Sequence, residues 1–263
     1  MSVISAADML VRNTTFSNTN GTSPQHGLDL EPDSSTEPSN PLRPENLTFR
    51  DCRAINNSGA GFGGYLLHAV SPVTVRFENC SISGGHSGWW FSTVSAKGAI
   101  TVSGGSVEGT ATHGVALLDK LLGALPVTFE GHRISHVAIA ENKTCVGSNP
   151  QKYCPPGSSN APVALYYRDG QTKFSEGGVH FTGCSVIDDR PRPWLELIGV
   201  PTPKYPRELG WWDVGLADVD VRFERLGRAK CARAAAFCQP SCTDGAGNRS
   251  QVVAMANVSC ECS

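Results

Sequence analysis

Sustained helical periodicity is scarce in this chain of 263 residues, and its 28 Gly and 17 Pro punctuate it too often for long helices. The segment HGVALLDKLLGAL has room for about two helical turns, yet Val115, Leu117 and the following LPVTF fit strands equally well, and we read it as a strand followed by a loop. No apolar run approaches the ~20 residues that cross a bilayer. A dominant charge is missing too. The formal net charge is -2 with Lys and Arg scattered along the chain, which argues against a nucleic-acid surface. The start, MSVISAADMLVRN, has neither the basic opening nor the long apolar core of a secretory leader. It enters a strand directly, with nothing to cover the first apolar rung, so the expectation is a fragment of a longer protein.

What is present is a repeat. Short apolar strands end in small polar knots in LVRNTTFSNTNG, LTFRDCRAINNSG, VTVRFENCSISGG, ITVSGGSVEGT, VTFEGHRISHVA and VHFTGCSVIDD, and VDVRFERLGRA reads as a seventh copy. With the last large apolar residue as anchor, the series is Phe16, Phe49, Phe77, Val102, Phe129, Phe181 and Phe223, and the central intervals are 28, 25 and 27 residues. Strand-like units at that period mean stacked solenoid coils, because no unit buries its apolar face without neighbours above and below.

This pattern, from about Met9 to Phe223, resembles the right-handed parallel β-helix of the pectin-lyase-like superfamily. The resemblance implies an all-β fold of about seven coils, with rungs ~4.8 Å apart and a polysaccharide groove beside one sheet. We divide the chain into a β-helix over 1–226, with an insertion near 141–161, and a Cys-rich tail over 227–263.

Ten cysteines fall into three groups. Cys52, Cys80 and Cys184 each follow an anchor Phe by three residues, which predicts one buried, reduced column. Cys145 and Cys154 bracket VGSNPQKY, and we read a disulfide closing an insertion there. Cys231, Cys238, Cys242, Cys260 and Cys262 crowd the tail. Zinc would need a four-ligand set, but the tail has no C-x-x-C pair and no His, so disulfides are favoured. Five is odd, which leaves one to pair outside the tail or stay free. Asn-x-Ser/Thr triplets at Asn13, Asn20, Asn46, Asn56, Asn79, Asn142, Asn248 and Asn257 add to a secreted, extracellular reading. Such triplets also arise from coil turns that favour Asn, and Asn79 looks like a turn residue, whereas Asn142 and Asn257 are the better glycan acceptors.

The densest chemistry lies in HGLDLEPD. If Leu28 and Leu30 point inward, alternation sends Asp29 and Glu31 outward together, ~6.6 Å apart along the strand. Such a pair is suited to general acid and base work in glycoside hydrolysis. It is equally suited to calcium with help from Asp33, or to nothing beyond a solvated sheet edge. No other cofactor and no metal is expected. Aligning Gly27 with Gly64, Gly88 and Gly114 places Leu66, His68, Trp90, Ser92, Ala116 and Leu118 on the same face, with His68 beside Glu31. A carboxylate there raises the imidazole pKa and orients it for proton transfer. Of Trp89 and Trp90, strand alternation buries one and exposes the other. An exposed Trp90 with Ser92 would form a sugar platform.

Other candidates read as structural. His26, His86 and His113 precede strand-opening glycines and are expected to satisfy turn backbone. Trp211 and Trp212 are expected to cover the C-terminal end. VIDDRPRPW partly resembles the Arg motif of pectate lyases and the Asp pair of polygalacturonases, but neither set is complete. A Pro-stiffened turn with surface pairing of Asp188 or Asp189 to Arg190 or Arg192 is the simpler reading. The expectation is a monomeric, secreted, carbohydrate-active protein, a polysaccharide hydrolase or lyase using Asp29, Glu31 and His68. A glycan-binding or purely structural β-helix is the alternative.

Overall fold

The computed structural model describes residues 1–22, 25–31, 44–66, 72–94, 97–121, 125–139, 161–167, 178–199, 214–226, 230–231, 241–243 and 253–263. Among the described residues nearly all regular structure is strand, arranged in three eight-stranded sheets and one two-stranded sheet. One circuit shows the logic. Ala60–Tyr65 lies in the first sheet, Val73–Glu78 in the second and Ser81–Ser83 in the third, and Ser87–Val94 returns to the first beside Ala60–Tyr65. Pairing between successive circuits is parallel, as a β-helix or similar solenoid requires. The interval between Phe129 and Phe181 is one circuit, because these two residues pair directly.

Inward side chains fill the interior in columns. Phe49, Phe77, Val102, Phe129 and Phe181 stand in one register of the second sheet. Phe49 stacks on Phe77 at 5.1 Å, and Phe129 on Phe181 at 5.0 Å. The outer two anchors need correction. Phe16 and Phe223 belong to the third sheet, and Val11 and Leu216 hold the second-sheet positions. In those two coils the last large apolar residue lies one strand further on.

A sharper marker of each coil is the residue two beyond the inward anchor. Asn13, Asp51, Asn79, Gly104, Gly131, Gly183, Asp218 and Asn257 all have φ between 50° and 63°. L-residues avoid this left-handed region except Asn, Asp and Gly, so one turn geometry dictates this composition. Asn79 donates through Nδ2 to Asp51 Oδ1, and Asn257 does the same to Asp218. Asn257 is therefore a turn residue like Asn79, while Asn142 and Asn248 lie outside the described residues.

The thiol column forms as expected. Cys52, Cys80 and Cys184 are buried and free. Each donates to the carbonyl of the inward residue one rung before it: Cys52 to Val11, Cys80 to Phe49 and Cys184 to Phe129. Burial pushes the Cys80 thiol up to about 12, so it is held as an unreactive apolar group. Cys231 and Cys262 form a disulfide, and Cys260 is also disulfide-bonded. Cys145, Cys154 and Cys238 lie outside the described residues. Ser241–Thr243, Val253–Ala256 and Ser259–Cys262 each add the last strand of one sheet, so the Cys-rich segment extends the stack.

Two glycines of this turn separate conformational strain from crowding. A Cβ on Gly105 (φ 71°) would lie 1.9 Å from the Cys80 carbonyl oxygen, whereas one on Gly131 (φ 59°) meets nothing within 4 Å. Gly105→Ala should therefore lower the unfolding free energy, measured by urea titration, by far more than the ~1–2 kcal/mol of left-handed strain. Gly131→Asn should be nearly neutral, since Asn fills the equivalent position at residue 79. Equal losses in the two variants would show that the turn column is not what sets this cost.

Candidate functional site

The outer face of the first sheet carries the site. Asp29 pairs with Gly63, Gly63 with Trp90, Trp90 with Ala116, Ala116 with Ala164, and Ala164 with Glu196. Behind this column, Leu28, Phe62, Trp89 and Val115 point inward in the adjacent register. Leu28 and Leu30 are fully buried, and alternation sends Asp29 and Glu31 to the other face.

The glycine alignment behind the expected neighbours is three residues out. Gly27 stands with Gly61, Gly88 and Gly114, because Leu28 pairs with Phe62 and Trp89 pairs with both Phe62 and Val115. Gly63 therefore lies opposite Asp29, and Tyr65 follows opposite Glu31. Leu66 is buried in the core instead of facing outward, and His68 lies outside the described residues, as does Asp33. GAGFGGY offers several glycines as a strand opening. The bulky Phe62, which must face the core with Leu28 and Trp89, decides among them.

Among the described residues, the imidazole at this site is His26. A Cβ on Gly63 would lie 3.0 Å from His26 Cδ2 and 3.2 Å from Nε2, so the ring occupies the space that Gly63 leaves. The Ala60 N–H donates to His26 Nδ1 at 2.8 Å, which places the imidazole proton on Nε2. Burial, with the nearby His86, lowers the His26 pKa to about 4 and keeps the ring neutral. Its centroid is 5.4 Å from that of Trp90, and the Tyr65 ring lies within 12° of parallel to Trp90.

This face is not the open, solvated edge that acids on a sheet suggest. Asp29 is 4 % exposed and Ser92 0 %, and Ala116 and Ala164 are also buried. Around them Glu31, Tyr65, Trp90 and His26 are half-buried. The result is a buried polar floor under a partly open aromatic and acidic rim. Burial first, and then the charge and hydrogen bond of Glu31, raise the Asp29 carboxyl from 3.8 to about 7. Asp29 Oδ2, Trp90 Nε1 and Ser92 Oγ are buried without hydrogen-bond partners. Buried polar groups are almost always paired, so three orphans on one face set it apart.

The remaining candidates are structural. Arg192 forks onto Asp188 with contacts of 2.6 and 3.1 Å and donates to the carbonyls of Val137 and Ala138. Arg190 donates to the carbonyls of Ala138 and Ile139. Of the expected surface pairings, Arg190 with Asp189, 3.7 Å apart, is partly exposed, whereas Arg192 with Asp188 is not at the surface: the Asp188 side chain is 1 % exposed and that of Arg192 14 %. It clips one backbone segment to the next rung. His113 donates through Nδ1 to the Ala161 carbonyl, so it, like His26, satisfies backbone. Trp89 donates across the core to His132 Nε2, and His132 Nδ1 donates to the Gly104 carbonyl. Trp211 and Trp212 lie outside the described residues. Among the described residues, no three His, Cys, Asp or Glu side chains converge as a metal site, and no helix is long and apolar enough to cross a membrane. Comparison of the chain with family models, curated proteins and solved structures found no match.

The buried groups give stability opposite dependences on pH. Asp29, raised to about 7, favours the fold fully below its ordinary 3.8, and that contribution is lost as pH rises through 7. His26, His113 and His132, each lowered to about 4 by burial, support the fold above 6.5, and their contribution is lost as pH falls through 4. Thermal melts should therefore show Asp29→Asn matching the parent at pH 4 and exceeding it by about 2–4 °C per kcal/mol gained at pH 8. A difference that does not change with pH would contradict a buried neutral acid.

Proposed function

We propose that this chain is a secreted, monomeric, carbohydrate-active β-helix, a polysaccharide hydrolase or lyase working through Asp29 and Glu31. We further propose that the coil is right-handed, runs for about seven coils of the recognised repeat, and is kin to the pectin-lyase-like superfamily. The hand follows the general rule for crossovers between parallel strands of one sheet. The Cys231–Cys262 disulfide supports an oxidising compartment.

The observation that carries the chemistry is the state of Asp29. A carboxyl held near pH 7 beside a second carboxylate divides the two roles that glycoside cleavage needs. Asp29 retains a proton to give to the leaving oxygen, and Glu31, on the rim, is placed to activate the attacking group. In hydrolysis the glycosidic C–O bond breaks as Asp29 donates its proton. A water then adds to the anomeric carbon and gives its proton to Glu31. Trp90 and Tyr65 offer the apolar wall on which a pyranose packs, and neutral His26 offers its Nε2 proton to a hydroxyl. The alternative, a glycan-binding or structural role without turnover, draws support from one feature. Asp29 is only 4 % exposed, so the acid meets little solvent in the free protein.

Single amide variants separate the two. Asp29→Asn should lower kcat on a cleaved polysaccharide by at least ~100-fold while leaving binding within a few-fold. Glu31→Gln should do likewise. In the parent, activity should fall as pH rises through about 7, where the acid loses its proton. Unchanged turnover in both variants would remove this pair from the chemistry, and binding without turnover in the parent would favour the alternative.

A further inference from the structure

We infer that Asp29, Ser92 and Trp90 form a subsite for one uncharged sugar ring, seated beside Gly63, and that the reaction there is hydrolysis and not elimination. This rests on the carbohydrate reading above and narrows it.

The three orphaned atoms define what the ligand must offer. Trp90 Nε1 only donates, Ser92 Oγ donates and accepts, and Asp29 Oδ2 accepts or, when protonated, donates. A bare cation is a poor occupant, because the indole N–H would point its positive end at it. An anion is equally poor. Asp29 and Glu31 share this face, the adjoining His26 is neutral, and the Met1 ammonium, the smallest of the influences on Asp29, is tied to the Gly27 carbonyl. A group bearing both donors and acceptors without net charge satisfies all three atoms, and sugar hydroxyls do this. The placement fits as well. Asp29 and Trp90 lie one rung to either side of Gly63, and Ser92 lies two residues along the strand from Trp90, facing the same way. The half-buried rings of Trp90, Tyr65 and His26 rim this floor. Burying three polar atoms unpaired is costly, and a fold retains such groups where a ligand completes them.

The chemistry of the reaction follows. Elimination removes a proton from the sugar carbon next to a carboxylate, and the carbonyl group there is what acidifies it. An uncharged ring has no such carboxylate. What remains is protonation of the leaving oxygen and addition of water, the two steps assigned to Asp29 and Glu31.

Calorimetric titration of the full chain with uncharged gluco-, xylo-, manno- and galacto-oligosaccharides, and with oligogalacturonides as the charged probe, tests this. We expect at least one uncharged series to bind tenfold or more tightly than the galacturonides. Ser92→Ala and Trp90→Phe should each weaken that binding by about three- to tenfold while leaving the melting temperature equal or higher, because each removes a buried unpaired atom. Cleavage should yield new reducing ends without the ultraviolet-absorbing double bond of elimination. Preference for galacturonides, unsaturated products, or unchanged affinity in both variants would overturn the inference and leave the carbohydrate reading standing. Failure of every saccharide to bind would overturn both together.

Discussion

Every rung of this molecule depends on the register in which parallel strands stack, and the left-handed turn between the second and third sheets pins that register. The turn does more than reverse direction. The N–H of Asn13 donates to the Arg50 carbonyl, that of Asp51 to Glu78, that of Asn79 to Ser103 and that of Gly104 to Glu130. The hydrogen-bond ladder thus continues into the bend. A slip of one residue would bring an L-side chain without special turn chemistry into positive φ and would also turn every core residue outward. The two penalties act together, so register is fixed locally at each coil.

With the inward column fixed, the outward column follows, and this is how residues far apart in sequence meet. Asp29, Gly63 and Trp90 become neighbours only because Leu28, Phe62 and Trp89 must share the interior. Gly63 matters for what it lacks. The space that a side chain would fill holds the His26 ring, which is fastened by the Ala60 N–H. An imidazole therefore joins the acids from a turn, where strand alternation alone would not place it.

The architecture was legible in the sequence because the repeat is written in the most constrained residues. Anchors such as Phe49, Phe77 and Phe129 occupy the columns that their spacing implies, and the thiol column at Cys52, Cys80 and Cys184 follows from a constant offset. Phe16 and Phe223 misled because size alone does not tell which of two consecutive strands holds an apolar residue. The turn residue two positions after Val11 and Leu216 does. At the site, the outward pairing of Asp29 with Glu31 and the split between Trp89 and Trp90 follow from period-two alternation. The partner imidazole does not, because it hangs on a choice among four glycines in GAGFGGY. The burial of Asp29 and Ser92 was hidden for a different reason. Strand alternation tells which face a residue takes and not how deeply that face is buried.

The site also sits against a block of interlocked aromatic rings, and that bears on how it can keep unpaired polar atoms. Directly behind the Gly63 and Trp90 positions, Phe62 stacks on Trp89 at 4.9 Å, and Phe77 meets Trp89 edge-on at the same distance. Trp89 is tied on its far side to His132. In a solenoid each rung leans mainly on its neighbours, so the cost of a strained or unsatisfied group is carried locally. A block of interlocked aromatic rings next to that cost is what holds the backbone of Asp29, Gly63 and Trp90 in place while their polar atoms await partners. Side chains held by a rigid inner wall present donors and acceptors at fixed positions, which is the condition for selective recognition. The same wall explains why the outward residues can vary in chemistry, from acid to glycine to indole, without loss of the fold.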